Sequence, residues 1–463
     1  MTGRSRYGGS AYGGSDVVAG LGRLASGSRF QGQRNERGAA RRPLPLPLQM
    51  PRTQTRRVAS TKRARRLLRS AVLIAVIAVA GVSVAVQLRR SVPAAMARVD
   101  IGSTFVVPGT PPPIPWPKQG EAAVAVPLVG VVVPSGPERP VPIASLAKMM
   151  TAYVVLRDHP LSTSQQGPVV TMTALDVAAA ASDERQNETS IPVTAGEKLT
   201  ERQLLDGLLV HSANNLAHTL ARFDAGSTSA FVAKMNATAA TLGLSSTHFV
   251  GPSGFNPGSV STAADLLRLA AAAMKLPAFA DVVAQPVVTL PGAGLLANYV
   301  SLVGMDGVVG VKSGFTAAAQ GCVVLAARRY VGSTPVMVIA AVTGQKGYDA
   351  LGRAQAEALA EIDAAARGLA SVPVIAPGDT VGKVEVVWSK NAPLVSTTAA
   401  ATVMAWPGQT VHLQARTRHL RYVKRGAPVG SIEVQLGEQH TNVPLEVDGS
   451  LEGPSLWWRL FRG

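Results

Sequence analysis

Residues 142–156, PIASLAKMMTAYVVL, carry apolar Leu146, Met149, Met150, Val154 and Val155 behind a serine and a lysine, Ser145 and Lys148, three positions apart. Apolar residues three and four apart share one side of a helix, so this stretch reads as a helix with a buried face. Residues 307–325, GVVGVKSGFTAAAQGCVVL, read as strand-rich, as do residues 336–342. Upstream, AAVAVPLVGVVVPS at 122–135 reads as two strands in a hairpin. Residues 204–220 and 263–274 are helical, and Thr262 can cap the second, whose first turn carries Asp265. Residues 354–368 form an Ala- and Glu-rich helix. Strands at both ends with helices between them predict one α/β layered domain over 119–371.

The texture changes near residue 372. VGKVEVVW (381–388), TVMAWPGQTVHLQA (402–415), APVGSIEVQL (427–436) and NVPLEV (442–447) alternate in the β period between Gly, Pro and Asn. They predict a small all-β domain over 372–463. VGKVEVV and VGSIEVQ look alike, but two copies do not make a solenoid. The terminal LWWRLFRG reads either as an interfacial anchor or as an apolar lid on this domain.

The 463 residues carry a formal charge of +17, unevenly placed. Residues 1–69 hold sixteen Lys and Arg against Asp16 and Glu36, so the remainder is close to neutral. This tail is rich in Gly, Ser, Arg and Pro and reads as disordered, with PLPLPLQMP at 43–51 a stiff polyproline spacer. Residues 70–88, SAVLIAVIAVAGVSVAVQL, contain no charge. A helix of about 19 residues rises about 28 Å, enough to cross a bilayer core. Arg65, Arg66 and Arg69 crowd its N-terminal side, which puts the tail in the cytoplasm and the rest outside, although Arg89 and Arg90 weaken the asymmetry. Ala95-Met96-Ala97 has the form of a cleavage site, but so long a basic region before the apolar run favours an uncleaved anchor in the cytoplasmic membrane. Residues 89–118 then read as a proline-rich stalk. The tail lacks an aromatic platform beyond Tyr7, Tyr12 and Phe30, so no nucleic-acid partner is expected. Cys322, the single cysteine, excludes an internal disulfide and reads as a small apolar strand residue.

Three short motifs carry chemistry. A serine hydroxyl is a poor nucleophile without a base in hydrogen-bond reach, and Ser145 and Lys148 share one side of a helix turn. A desolvated lysine amine, or one beside another cation, accepts a proton more readily. Ser212 and Asn214 place a hydroxyl beside an amide, a proton relay and a donor. Lys312, Ser313 and Gly314 put a cation, a hydroxyl and room for close backbone approach on a strand, which suits an extended peptide with a free carboxylate. Each motif alone occurs by chance; Ser389-Lys390-Asn391 and Lys424-Arg425-Gly426 show how cheaply. His211 and His218 lack a zinc pattern and read as structural histidines.

In this order the three motifs are the signature set of serine penicillin-binding enzymes. With FVAKMNATAATLGLSSTHFVGPSGFNPGSVSTAADLLRLA at 231–270, residues 120–369 resemble the D-alanyl-D-alanine carboxypeptidase family of low-molecular-mass penicillin-binding proteins. Ser313 stands where threonine is usual, and Asn215 where aspartate is common. The resemblance implies a β-lactamase/transpeptidase-like sandwich, an antiparallel sheet with helices on both faces plus a helical subdomain. It implies catalytic Ser145, Lys148 and Ser212, with Asn214, Lys312, Ser313, Gly314 and Phe315 binding substrate. Backbone N–H groups of Ser145 and Phe315 would form the oxyanion hole. Peptidoglycan stem peptide and β-lactam antibiotics are the implied partners, and no cofactor is implied.

A β-lactamase is the nearest rival. Its deacylating glutamate lies between the second and third motifs, and no Glu occurs here from Ala213 to Gly310. A transpeptidase or D,D-endopeptidase of the same fold shares the acyl-enzyme and differs in the acceptor. A non-catalytic cell-wall scaffold is the reading from another class, and acylation of Ser145 separates it from the enzymes.

Overall fold

A computed structural model describes residues 58–420 and 423–462. Residues 1–57, which hold most of the expected disordered tail and its PLPLPLQMP stretch, lie outside the described residues. Helix α1 (Val58–Arg89) contains the expected anchor and is long and apolar enough to cross a membrane. It starts earlier than expected, because residues 58–69, read as part of the tail, are helical. Ala, Leu, Lys and Arg are strong helix formers, and an apolar helix once nucleated extends into them at little cost.

Five antiparallel strands make the central sheet. Their order is Val308–Thr316, Gln320–Val331, Thr334–Gln345, Ala122–Val126 and Val131–Pro134. The two halves of the expected hairpin at 122–135 thus pair with the late strands. Successive strand residues point to opposite faces, and both faces are covered here. Cys322, Val324 and Ala326 face a core shared with α2 (Lys148–Asp158), α3 (Ala174–Arg185), α4 (Glu201–Leu209), α5 (Asn214–Ala225), α6 (Thr228–Thr241), α7 (Ala263–Ala273) and α8 (Pro277–Val283). Val323, Leu325 and Ala327 face the other way, onto Ala354, Ala358 and Ile362 of α9 (Ala350–Arg367). Burial pushes the Cys322 thiol up to about 11, in keeping with a small apolar residue of a strand. Thr262 caps α7 by accepting from Asp265 N at 3.2 Å.

The C-terminal domain is built on an eight-stranded sheet, and two of its strands come from the segment read as a stalk. Ala95–Val99 pairs with Thr380–Glu385, and Thr104–Val106 pairs with Thr410–Thr417. Ala95 and Ala97 turn inward while Met96 faces solvent, a period of two hidden by the proline-rich sequence that follows. That sequence is not a free spacer either. Ile114 and Trp116 pack against the core between the sheet and α9, which Met404 and Trp406 of the β domain also enter. The chain closes with α10 (Leu456–Phe461). Trp458 meets Trp388 edge-on at 6.1 Å between centroids, while Leu456, Trp457 and Phe461 remain exposed. The helix therefore covers the β domain with one side and offers an apolar surface on the other.

Candidate active site

Ser145 lies in a single 3-10 turn, Ala144–Ala147, that runs directly into α2. In that tighter helix positions i and i+3 eclipse, which stacks the Lys148 side chain over Ser145. Lys148 Nζ lies 2.9 Å from Ser145 Oγ. The backbone around the serine is tightly held. Ala144 has a φ of 46°, unusual for a residue with a side chain. A Cβ added at Gly254 would sit 1.9 Å from the Ala144 carbonyl oxygen, so only glycine lets the 252–254 turn approach.

Lys148 is fully buried. Its amine also contacts Asn214 Oδ1 and the Ser253 carbonyl, the latter at 2.9 Å. These three acceptors match the three N–H bonds of an ammonium. Burial holds its pKa well below the usual lysine range, and the nearby Lys312 adds to the effect. The Glu188 and Asp183 carboxylates oppose it. In the neutral form one lone pair is free to take the Ser145 proton.

Asn214 opens α5, and its own amide N donates to Thr189 O at 2.7 Å. Ser212, two residues earlier, is buried with a φ of 64°. Strain at non-glycine residues, of order 1–3 kcal/mol each, persists where surrounding contacts enforce it. Asn215 explains its departure from aspartate. Its side chain pairs with the backbone of Ile191, accepting from N at 3.2 Å and donating to O at 3.0 Å, which a carboxylate cannot do at both atoms. Ser389 accepts from Asn391 N at 3.1 Å in an exposed turn of the β domain, so the second Ser-x-Asn spacing is a turn.

Lys312, Ser313 and Gly314 lie on Val308–Thr316, the outermost strand of the central sheet, whose other edge carries no neighbouring strand among the described residues. Burial lowers Lys312 to about 7, and its amine donates to Ser313 O at 2.9 Å. A Cβ at Gly314 would lie 2.7 Å from the Ser145 amide N and 3.3 Å from that of Leu146. The bare glycine is therefore what lets the strand pass beside the serine. Phe315, next along, is exposed. Asn214 of the second motif thus touches Lys148 of the first, and Gly314 of the third lies against Ser145, with Lys312 close enough to act on Lys148.

Sequence reasoning missed two carboxylates. Glu188 accepts from Asn214 Nδ2, and burial raises its pKa. Asp183, at the end of α3, has an oxygen buried without a hydrogen-bond partner among the described residues and is pushed up to about 6, first by burial and then by Glu188. Both precede the second motif, outside the stretch from Ala213 to Gly310 where a deacylating glutamate of the β-lactamase kind would lie. The acidic run SDERQNE was the only local signal. Beside them a groove of about 750 Å³ is bordered by Glu184, Glu188, Ser190, His211 and Tyr299. His211 stacks on Tyr299 at 5.0 Å, and burial lowers the pKa of His218.

The family described as D-alanyl-D-alanine carboxypeptidase matches residues 130–346. The D-alanyl-D-alanine carboxypeptidase DacB2 of Mycobacterium tuberculosis is 40% identical over 195 residues, 41% of this chain and 62% of that protein. The D-alanyl-D-alanine carboxypeptidase of Streptomyces sp. K15 is 33% identical over 208 residues, 40% of this chain and 67% of the relative. The chain thus spans somewhat under two thirds of the mycobacterial relative. Penicillin binding protein 5 from Haemophilus influenzae superposes with a TM-score of 0.52 at 20% identity, covering 74% of this chain and 99% of that one, which shows a shared fold.

Proposed function

The chain belongs to the D-alanyl-D-alanine carboxypeptidase family, and on that premise we propose that it is a serine peptidase that removes the terminal D-alanine from peptidoglycan stem pentapeptides. The observation that carries this reading is the Lys148 amine, buried, with its pKa lowered, 2.9 Å from Ser145 Oγ.

The peptide lies along the open edge of Val308–Thr316 as an added strand, with backbone hydrogen bonds fixing its register. Lys312 and Ser313 hold its C-terminal carboxylate. Neutral Lys148 takes the Ser145 proton as Oγ attacks the carbonyl carbon between the two D-alanines. The oxyanion is met by the backbone N–H groups of Ser145 and Phe315, beside which Gly314 leaves room. The proton reaches the leaving amine through Ser212, the C–N bond breaks, and D-alanine departs. Asn214 binds the acyl portion. Water then hydrolyses the ester on Ser145. A β-lactam presents the same carbonyl and carboxylate and acylates the same oxygen.

Buried Asp183 and half-buried Glu188 lie within electrostatic reach of Lys148, and the rate of deacylation distinguishes this peptidase from a β-lactamase. Helix α1 holds the enzyme in the membrane, with the cytoplasmic side at its basic N-terminal end and the peptidase outside. The exposed Leu456, Trp457 and Phe461 suit an interfacial position. Incubating the full chain with a D-Ala-D-Ala-ending pentapeptide tests the reading. One equivalent of D-alanine released per tetrapeptide formed supports it. Cleavage only of cross-linked dimers makes it an endopeptidase, and no cleavage by folded protein rejects it.

A further inference from the structure

Asn214 sits between two groups of opposite demand. Lys148 Nζ donates to its Oδ1, and its Nδ2 donates to Glu188. An amide offers one acceptor atom and one NH₂ with two donors, and the two ends are interchangeable unless partners distinguish them. Here an amine that donates faces one end and a carboxylate that accepts faces the other. The flipped amide would set carbonyl oxygen against the carboxylate and lose that bond, and its N–H would occupy the amine lone pair that must take the Ser145 proton. Among the described residues, Glu188 is the partner of Nδ2. The second N–H of that NH₂ has no acceptor among the described residues.

Glu188 reaches this position through a built turn. Its backbone N donates to Asp183 O at 2.8 Å, and Asn187, with a φ of 56°, folds the chain back from the end of α3. Asparagine tolerates that left-handed conformation better than most residues. The following residue, Thr189, accepts from the Asn214 backbone N, so the same loop grips Asn214 at main chain and side chain.

We propose that Glu188 is a positioning residue of this active site, which fixes the Asn214 amide so that its oxygen holds Lys148 and its free N–H meets the acyl portion of the substrate. This rests on the reading of Lys148 as the base. The carboxylate has a second effect. It favours the ammonium form of Lys148, against burial and Lys312, while Asp183 acts in the same sense as Glu188. His218 on α5 also lies within electrostatic reach of Lys148, and burial keeps it neutral over a wider range. Glu184 and His211 border the same groove as Glu188. Of these groups, Glu188 is the one bonded to the amide that touches Lys148.

Two substitutions separate orientation from charge. Glu188→Gln keeps an acceptor oxygen for Nδ2 and removes the charge; Glu188→Ala removes both. Acylation of the full chain by a fluorescent penicillin is followed from pH 5 to 9. The Lys148 amine is titrated in parallel by NMR of protein labelled at lysine 13Cε, its signal identified by its loss in Lys148→Arg. In Glu188→Gln the maximal rate stays within about tenfold of wild type. Its acid limb moves to lower pH, because the amine is neutral over a wider range. Glu188→Ala shows the same shift, and its maximal rate falls by about 10- to 100-fold as the amide loses its orientation. The Lys148 resonance titrates at lower pH in both variants.

Unmoved acid limbs and an unmoved Lys148 titration overturn the proposal. Equal rate losses in both variants without a pH shift overturn it too, leaving Glu188 a packing role. If Ala at this position prevents folding, the Gln variant decides alone. Should wild type show no acylation, the peptidase reading fails by itself, and the Lys148 titration still tells whether Glu188 acts on that amine.

Discussion

Lys148 and Lys312 are fully buried in the sandwich, whereas the β domain buries no charged side chain among the described residues. Its core is Val384, Val411, Ile432, Val434, Val443 and similar side chains, and its buried polar groups include the hydroxyls of Ser396 and Thr397 and the indole N–H of Trp406. Thr397 is satisfied by the Ala376 carbonyl at 2.6 Å. Its ion pairs, such as Arg416 with Glu433 at 2.9 Å, lie on the surface. Taking a lysine amine out of water costs several kcal/mol unless its hydrogen bonds are replaced. The sandwich accepts that cost twice, at two lysines close enough to act on each other, along with strained backbone at Ala144 and Ser212. Such concentration of unfavourable terms marks chemistry, while the uniform apolar interior of the β domain marks a body that only has to stay folded.

Replacing Lys148 by Met should break the comparison most visibly. Acylation should fall by about 10²- to 10⁴-fold. Thermal unfolding should show the fold no less stable, because a buried amine is gone and an unbranched side chain of similar reach remains. A large loss of stability instead would mean that Lys148 is structural. Ile432→Ala in the β domain should do the reverse. Denaturant unfolding should lose about 2–5 kcal/mol, while the acylation rate per folded molecule stays unchanged. Coupled loss of rate would show that the β domain shapes the site.

Glu361 on α9 sharpens the contrast within the sandwich. It is fully buried, neither carboxyl oxygen has a hydrogen-bond partner among the described residues, and burial raises it to about 9. Below the unfolded value of 4.5 both states are protonated. Above it the unfolded chain ionises first, so stability is lost as pH rises from 4.5 to about 9. Glu361→Gln should flatten that decline in unfolding measured across the range, and an unchanged slope would show that another group titrates. The smallest effect is expected at Arg416→Ala. An exposed ion pair of this kind contributes about 0.2–1 kcal/mol, so unfolding should barely move.

The Ser145–Lys148 spacing was legible because its geometry is local, one turn of helix. The order of the three motifs was legible for a different reason: it is a pattern, whatever the fold between them. Glu188 was not, because the packing of α3 on α5 brings it to Asn214 and no fixed spacing records that. The strands Ala95–Val99 and Thr104–Val106 were hidden for a similar reason. They are short, and their partners Thr380–Glu385 and Thr410–Thr417 lie at the far end of the chain. Short strands acquire meaning from a distant neighbour, and composition alone pointed to the prolines that follow.

The central claim is that Ser145 is the nucleophile. Intact mass spectrometry of the full chain after incubation with a fluorescent penicillin, beside Ser145→Ala, tests it directly. The account predicts a single covalent adduct, located on Ser145, that persists for minutes in wild type and is absent from the variant. An adduct of equal yield in Ser145→Ala, or none in folded wild type, would contradict it.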